Sequence, residues 1–236
     1  MTSSSKYRFC FVVALMLVLA DNAVGREQTR PLVDHRDGQV YKTVVIGSQT
    51  WMAENLNYAT SKGSYCYKNE ARNCTKYGRL YTWDIAMGVC PDGWHLPTKT
   101  ELETLIVTAD GSITDYYSYR YNKKSVTEGN VAGLKLKAQT DWRLYRHILG
   151  EDTYGFSALP AGLGLDTTYH SDYKFCNEGE EANFWSATEE TGNWEGYAHV
   201  MELHFTNKAA VLSDKRKRDL CSVRCVKDKV ANRQRR

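Results

Sequence analysis

Proline is scarce in this 236-residue chain, with 4 positions, which excludes a proline-rich stalk or linker and leaves 17 glycines to punctuate the turns. Charge of one sign is missing as well. The 31 lysines and arginines stand against 28 acids, a net +3, too even a balance for the electrostatic footprint of a nucleic-acid binder. Basic residues gather at 215–218 and 227–236, but no aromatic stripe accompanies them, so a solvated turn and a tail account for both. Beyond residue 25 no apolar run approaches the roughly 20 residues that span a bilayer. There is no Gly-x-Ser-x-Gly elbow, no phosphate-cradling glycine loop and no EF-hand series. Without a complete catalytic set, neither an activity nor a cofactor is expected.

What is present begins with an export signal. Lys6 and Arg8 precede the apolar run Phe9–Ala20, and Ala23-Val24-Gly25 supplies a small-x-small cleavage site. Residues 1–25 read as a signal peptide, followed by an irregular lead-in over 26–34. The run is short for a span and Asp21 and Asn22 follow it at once, so no transmembrane segment is expected after the signal is removed. Cys10 leaves with it. Of the 7 cysteines, Cys66, Cys74, Cys90, Cys176, Cys221 and Cys225 then form an even set in an oxidising, secreted or cell-surface compartment, where disulfides are the default. Cys66 and Cys74 flank a polar loop and make a short staple. Cys221 and Cys225, read as one strand, stand about 13 Å apart, beyond disulfide reach, so each needs another partner. Cys90 with Cys225 and Cys176 with Cys221 is the favoured arrangement, and the exchanged pairing stays open. Asn73-Cys74-Thr75 has the form of a glycosylation acceptor.

The chain is organised around Cys90–Ala109, CPDGWHLPTKTELETLIVTA. Asp92-Gly93 makes a turn, Trp94 and Leu96 flank His95 in strand-like alternation, and Pro97 ends the extended segment. Thr98 and Glu101 have the spacing of a capping box, each side chain accepting from the other residue's backbone N–H. Leu102, Leu105, Ile106 and Ala109 follow at i, i+3, i+4 and i+7, one buried stripe. This predicts a helix over 98–109, with a second over 129–139 around Val131, Leu134 and Ala138, and a short helix around Asp84–Met87 leads into the organising stretch. Val40–Ile46 and Gln49–Asn55 read as a hairpin about Gly47-Ser48, and strands are expected at 184–188, 197–205, 209–213 and 221–226. Trp51, Trp83, Trp94 and Trp185 belong to the expected core. The fold class is α+β: two helices packed on a twisted, mostly antiparallel sheet, stapled by disulfides, with Cys225 on the last strand.

Six runs carry a family resemblance: HRDGQVYKTVVIGSQTWMAENLNY (35–58), CYKNEARNCTKYGRLYTWDIAM (66–87), CPDGWHLPTKTELETL (90–105), GFSALPAGLG (155–164), ANFWSATE (182–189) and SVRCVKD (222–228). Together they resemble the Fibrobacter succinogenes major paralogous domain over 35–228, leaving 229–236 as a basic tail. The resemblance implies an exported bacterial protein and a fold; it implies no activity. GWHLPTKTEL, then FWSATE, then a closing SVRCV strand is also similar in order to the C-type lectin-like architecture shared with formylglycine-generating enzymes. In those enzymes a C-terminal cysteine pair binds copper and oxidises a substrate cysteine, so Cys221 and Cys225 are the residues for an alternative, a copper-dependent oxidase. Their spacing differs from that pattern by one residue, and structural disulfides are the preferred role. The calcium-site tripeptides and the Trp-Asn-Asp run of sugar-binding lectins are absent.

Metal chemistry has one candidate set. His199, Glu202 and His204 lie on one strand, but alternation sends His199 to one face and the other two to the opposite face, too few for zinc, and no metal ligands are expected. Clustered acids such as Glu178, Glu180, Glu181, Glu189 and Glu190 suit solubility better than acid–base work. The stretch 165–179 has little apolar material, as functional loops do. Trp194, in the polar turn-rich segment 189–196, could share a rim with Tyr169, His170, Asp172 and Tyr173 of that stretch, and aromatic anchors of this kind stack on sugars or seat a protein. The expectation is an exported, non-enzymatic binding or adhesion module whose partner is a polysaccharide first and a surface protein second. A structural scaffold, which needs no pocket, is the other alternative.

Overall fold

The computed structural model describes residues 30–113, 129–167, 173–191 and 195–229 in full and the backbone of 116–118 and 123–125. In chain order the elements are β1 (Leu32–Val33), β2 (Val40–Tyr41), β3 (Thr43–Ile46), β4 (Gln49–Met52), β5 (Ser64–Tyr65), α1 (Ala71–Tyr77), β6 (Leu80–Tyr81), α2 (Trp83–Ala86), β7 (Trp94–His95), α3 (Lys99–Thr108), β8 (Tyr116–Ser118), β9 (Lys123–Ser125), α4 (Ala132–Leu136), β10 (Leu163–Asp166), β11 (Tyr173–Cys176), β12 (Glu181–Glu189), β13 (Tyr197–His204), β14 (Ala210–Arg216), β15 (Cys221–Ser222) and β16 (Val226–Lys227). An eight-stranded sheet runs β5-β6-β15-β12-β13-β14-β8-β9, and a four-stranded one runs β3-β4-β16-β7. Pairs β12–β15 and β14–β8 are parallel. Every other pair in the two sheets is antiparallel.

Helix α3 forms as its caps dictate. The Thr98 side chain accepts from Glu101 N while Glu101 accepts from Thr98 N, and the helix buries Leu102, Leu105 and Ile106. Those residues meet Ala182 and Phe184 of β12, Met201 and Leu203 of β13, and Ala210 and Leu212 of β14 in the largest apolar cluster. Trp51, Trp83 and Trp185 are buried as expected, and Trp94 is half-buried. The hairpin β3–β4 turns at Gly47-Ser48, pairing Ile46 with Gln49.

Several expectations are corrected. There are four α-helices among the described residues: the two expected on the sheet, the short one expected around 84–87, which is α2, and α1, which was not expected. Helix α4 stops at Leu136 because Lys137 adopts extended backbone and bridges Ala158, which carries its side chain into the interior. The loop closed by Cys66 and Cys74 is a 3-10 turn over Tyr67–Asn69 followed by the first turn of helix α1, with Cys74 and Tyr77 buried three residues apart. Asn73 of the acceptor tripeptide is itself buried and donates to Tyr67 O at 2.9 Å, so its amide is not presented for glycosylation. Within the lead-in, Leu32–Val33 is not irregular but pairs with β2.

The closing stretch departs most. Read as one strand over 221–226, it divides between two sheets, β15 beside β6 and β12, and β16 between β4 and β7. Arg224, in the crossing, is 1% exposed. Its Nε donates to Asn55 Oδ1 at 2.8 Å and its Nη2 to Ser157 O at 2.9 Å, Nη1 donates to Phe156 O, and the guanidinium lies 4.4 Å from the Phe156 ring centre. Burial pulls its pKa down to about 9, a range in which the group keeps its proton. Cys225 bonds Cys90 across 135 residues, and Cys66 bonds Cys74 across 8. One residue beyond β16, Asp228 meets His95 Nδ1 at 2.5 Å, while His95 Nε2 lies 3.0 Å from Glu101. The imidazole thus ties the chain's last strand to the cap of α3. Burial acts to lower the His95 pKa, but the carboxylates of Asp228 and Glu101 outweigh it, and the net shift is upward.

Candidate functional site, a polar cleft on the central sheet

Strand alternation gives β12, β13 and β14 a second face opposite α3. Toward Trp185, Ala198 and Val200 that face is apolar and joins a cluster with Tyr81, Trp83 and Cys221. Elsewhere it is polar and buried: Glu181 and Asn183 on β12, Glu202 on β13, Ser213 and Lys215 on β14. Lys215 Nζ donates to Glu202 Oε2 at 2.9 Å with both side chains nearly inaccessible. Burial disfavours the ammonium, yet the Glu202 carboxylate outweighs that and the Lys215 pKa is raised. Asn183 Nδ2 donates to Glu181 Oε2 at 3.3 Å, and His204 Nε2 approaches the other Glu181 oxygen at 3.8 Å. Asn183 Oδ1 and Ser213 Oγ are buried without a hydrogen-bond partner. Polar atoms are seldom left so in a core, where each costs about 1–3 kcal/mol.

The β10–β11 hairpin closes over this layer. Two glycines set its close packing. A Cβ on Gly162, whose φ is +66°, would stand 2.4 Å from Cys176 O on the hairpin's own second strand, and one on Gly164 would stand 2.7 Å from the side chain of Leu220, the residue before β15. Between hairpin and sheet lies a cleft of about 620 Å³, with Glu181, Lys215 and Asp219 at its buried side and Tyr197, Arg216, Asp166 and Cys176 around it. Asp219 accepts from the backbone N–H groups of Asp166 at 2.9 Å and Arg216 at 3.2 Å. Burial nevertheless dominates and raises its pKa. Arg216 Nε donates to the Tyr197 hydroxyl at 3.4 Å. The cleft therefore offers acceptors, donors and one aromatic ring, a surface for a polar ligand.

Cys176 and Cys221, expected to pair, are both free. The sheet register gives the reason. Leu163 is opposite Cys176 in the β10–β11 ladder, and the Gly164–Leu220 bridge places Cys221 opposite Leu163 on the other side. Two strand spacings separate the cysteines by about 10 Å, beyond disulfide reach. Burial pushes both thiol pKa values up, that of Cys221 well above the ordinary range. Cys225 is meanwhile bonded to Cys90, so Cys221 and Cys225 do not stand as a pair of free thiols.

Of the expected rim, Trp194, Tyr169, His170 and Asp172 lie outside the described residues. Tyr173 is on β11 with its ring tilted against Tyr65 at 4.9 Å, and burial pushes its hydroxyl up to about 12. The strand faces of His199, Glu202 and His204 are as alternation requires: His199 is opposite Asp214 and lies 3.6 Å from Glu190, whereas Glu202 shares a face with Asn183 and His204 with Glu181. Among the described residues no three His, Cys, Asp or Glu side chains come together to hold a metal ion, and no helix is long and apolar enough to cross a membrane. The buried polar residues Glu181, Asn183, Glu202 and Lys215, of which Glu181 and Lys215 line the cleft, were readable only as a parity: each falls on the inward position of an alternating strand.

No curated protein and no solved structure matches this chain. The model of the Fibrobacter succinogenes major domain matches residues 44–227, from β3 to the last strand and therefore across both sheets, the two disulfides and the cleft. The chain belongs to the Fibrobacter succinogenes major domain family.

Proposed function

We propose that this domain is an exported, non-enzymatic binding module whose cleft beneath β10–β11 takes a hydroxyl-rich ligand, a polysaccharide end or short stretch, at the cell surface or outside it. One observation carries the reading: the buried carboxylates of Glu181 and Asp219, the Lys215 amine, Arg216 and the Tyr197 ring line one cleft of about 620 Å³. Sugar hydroxyls both donate and accept, so they match such a mixed lining better than an apolar or singly charged ligand. The two disulfides support export. The lectin-like architecture is part of the same proposal and rests on the order of α3, the β12–β14 ladder and the closing strands. Tyr169 and Trp194, outside the described residues, stay in the proposal as an outer rim.

A glycan array probed with the parent chain and with Tyr197→Ala tests this. Retention by a defined polysaccharide that weakens by about 2 kcal/mol in the variant, as for an aromatic anchor, supports the cleft. Retention unchanged by Tyr197→Ala but lost in Trp194→Ala/Tyr169→Ala moves the site to the rim. Capture of a surface protein with no glycan retained replaces the ligand class.

A further inference from the structure

Away from the cleft, residues 142–150 read WRLYRHILG, bounded by Asp141 and Glu151. Ile148 N donates to Tyr145 O at 2.8 Å, closing a turn whose central residues, Arg146 and His147, have φ of 42° and 61°. Positive φ at both central positions is the geometry of a type I′ turn, which favours asparagine and glycine. An arginine and a histidine hold it here against steric strain, and strain of this kind gathers at functional segments. The base of the turn is anchored. The Tyr145 ring meets Phe205 edge-on at 5.7 Å, Arg143 pairs with Glu180 and lies over the Phe205 ring, and Trp142 Nε1 donates to Ala158 O at 3.0 Å. On either side of the tip an apolar side chain stands out into solvent: Leu144 is 76% exposed and Leu149 50%. A single exposed leucine is ordinary. Two on one anchored and strained turn, with the exposed Arg146 and His147 at the tip between them, form a pattern.

We propose that this turn docks the domain onto a lipid surface with anionic headgroups, Leu144 and Leu149 entering the acyl boundary while Arg146 meets phosphate. The alternation decides for lipid. Apolar side chains beside the exposed Arg146 on one turn match an interface where hydrocarbon lies directly below negative charge. This reading is independent of the cleft.

Sedimentation with phosphatidylcholine vesicles, with and without phosphatidylglycerol, tests it in the full chain. Partitioning should favour the anionic vesicles, fall on the order of tenfold or more in Leu144→Asp/Leu149→Asp, and fall on the order of tenfold in Arg146→Glu at low salt. Tyr197→Ala should leave it unchanged. The apolar run Phe9–Ala20 is common to all these proteins, so a reporter at the turn separates its contribution: Leu144→Trp should gain emission that brominated acyl chains quench. Circular dichroism checks that the variants keep their fold. Equal partitioning of parent and double variant, absence of quenching, or equal binding to neutral and anionic vesicles overturns the proposal. Capture of a protein through this turn without vesicle binding overturns it too.

Discussion

One face of the β12–β13–β14 ladder turns Phe184, Met201, Leu203 and Leu212 toward α3, and the other turns Glu181, Asn183, Glu202, Ser213 and Lys215 toward the β10–β11 hairpin. Both faces are buried, but their energetics differ in kind. Each large apolar side chain contributes about 1.5–3 kcal/mol by leaving water. The Glu202–Lys215 pair roughly breaks even against its desolvation, and a well-packed apolar replacement would do at least as well. An apolar face explains itself through stability. A buried polar face with unsatisfied atoms does not, and that contrast is why the cleft side is assigned the function.

The contrast can be broken or sharpened experimentally. The largest effect should come from the frame that carries both faces. In the chain-entropy model the 135-residue closure at Cys90–Cys225 contributes about 5 kcal/mol and the 8-residue closure at Cys66–Cys74 about 2.5. Denaturant unfolding should therefore show Cys225→Ser well below Cys74→Ser, and equal midpoints would contradict the frame. Next comes Lys215→Met, which strands Glu202 and should lose about 3–5 kcal/mol, most of it regained in Lys215→Met/Glu202→Leu. Failure of the double variant to recover would mean that the pair contributes to stability. On the opposite face Leu105→Ala should lose about 3 kcal/mol through a cavity against the sheet, with ligand affinity unchanged; a loss of affinity would show that the faces are coupled.

The smallest effect concerns pH. The His95 pKa is raised in the fold, so its contribution is complete below the unfolded value of about 6.5 and disappears as pH rises through the folded pKa. His95 is 37% exposed, which keeps the contribution below about 1 kcal/mol. His199 acts in the opposite sense, because burial lowers its pKa and disfavours its charged form. The parent and His95→Asn must therefore be compared across pH 5.5–8. The stability gap should shrink toward the alkaline end, and a constant gap would rule out the titration.

Much of the frame was readable because its causes are local. The Thr98–Glu101 box, the stripe from Leu102 to Ala109 and the Gly47-Ser48 turn each involve residues a few positions apart, and the structure has all three. Helix α1 was missed because its polar run offered only Cys74 and Tyr77 as a buried pair at helical spacing, too short a signal beside the glycine and asparagine around it. The cleft was missed for another reason. Expecting long loops to hold the site drew attention to Tyr169, His170, Asp172 and Trp194, while charged residues at inward strand positions went unread as a group.

By itself, then, the sequence determined the family through its motifs, and the α3 cap and stripe, the strand parities and the Cys66–Cys74 staple through short-range geometry, while Cys225 as the partner of Cys90 was a choice between two pairings. The tertiary structure alone decided that 221–226 serves two sheets, that Leu163 separates Cys176 from Cys221, and that Glu181, Asn183, Glu202 and Lys215 share a covered face. Those outcomes depend on which strands become neighbours, and neighbours far apart in the chain are chosen by the packing of the whole domain.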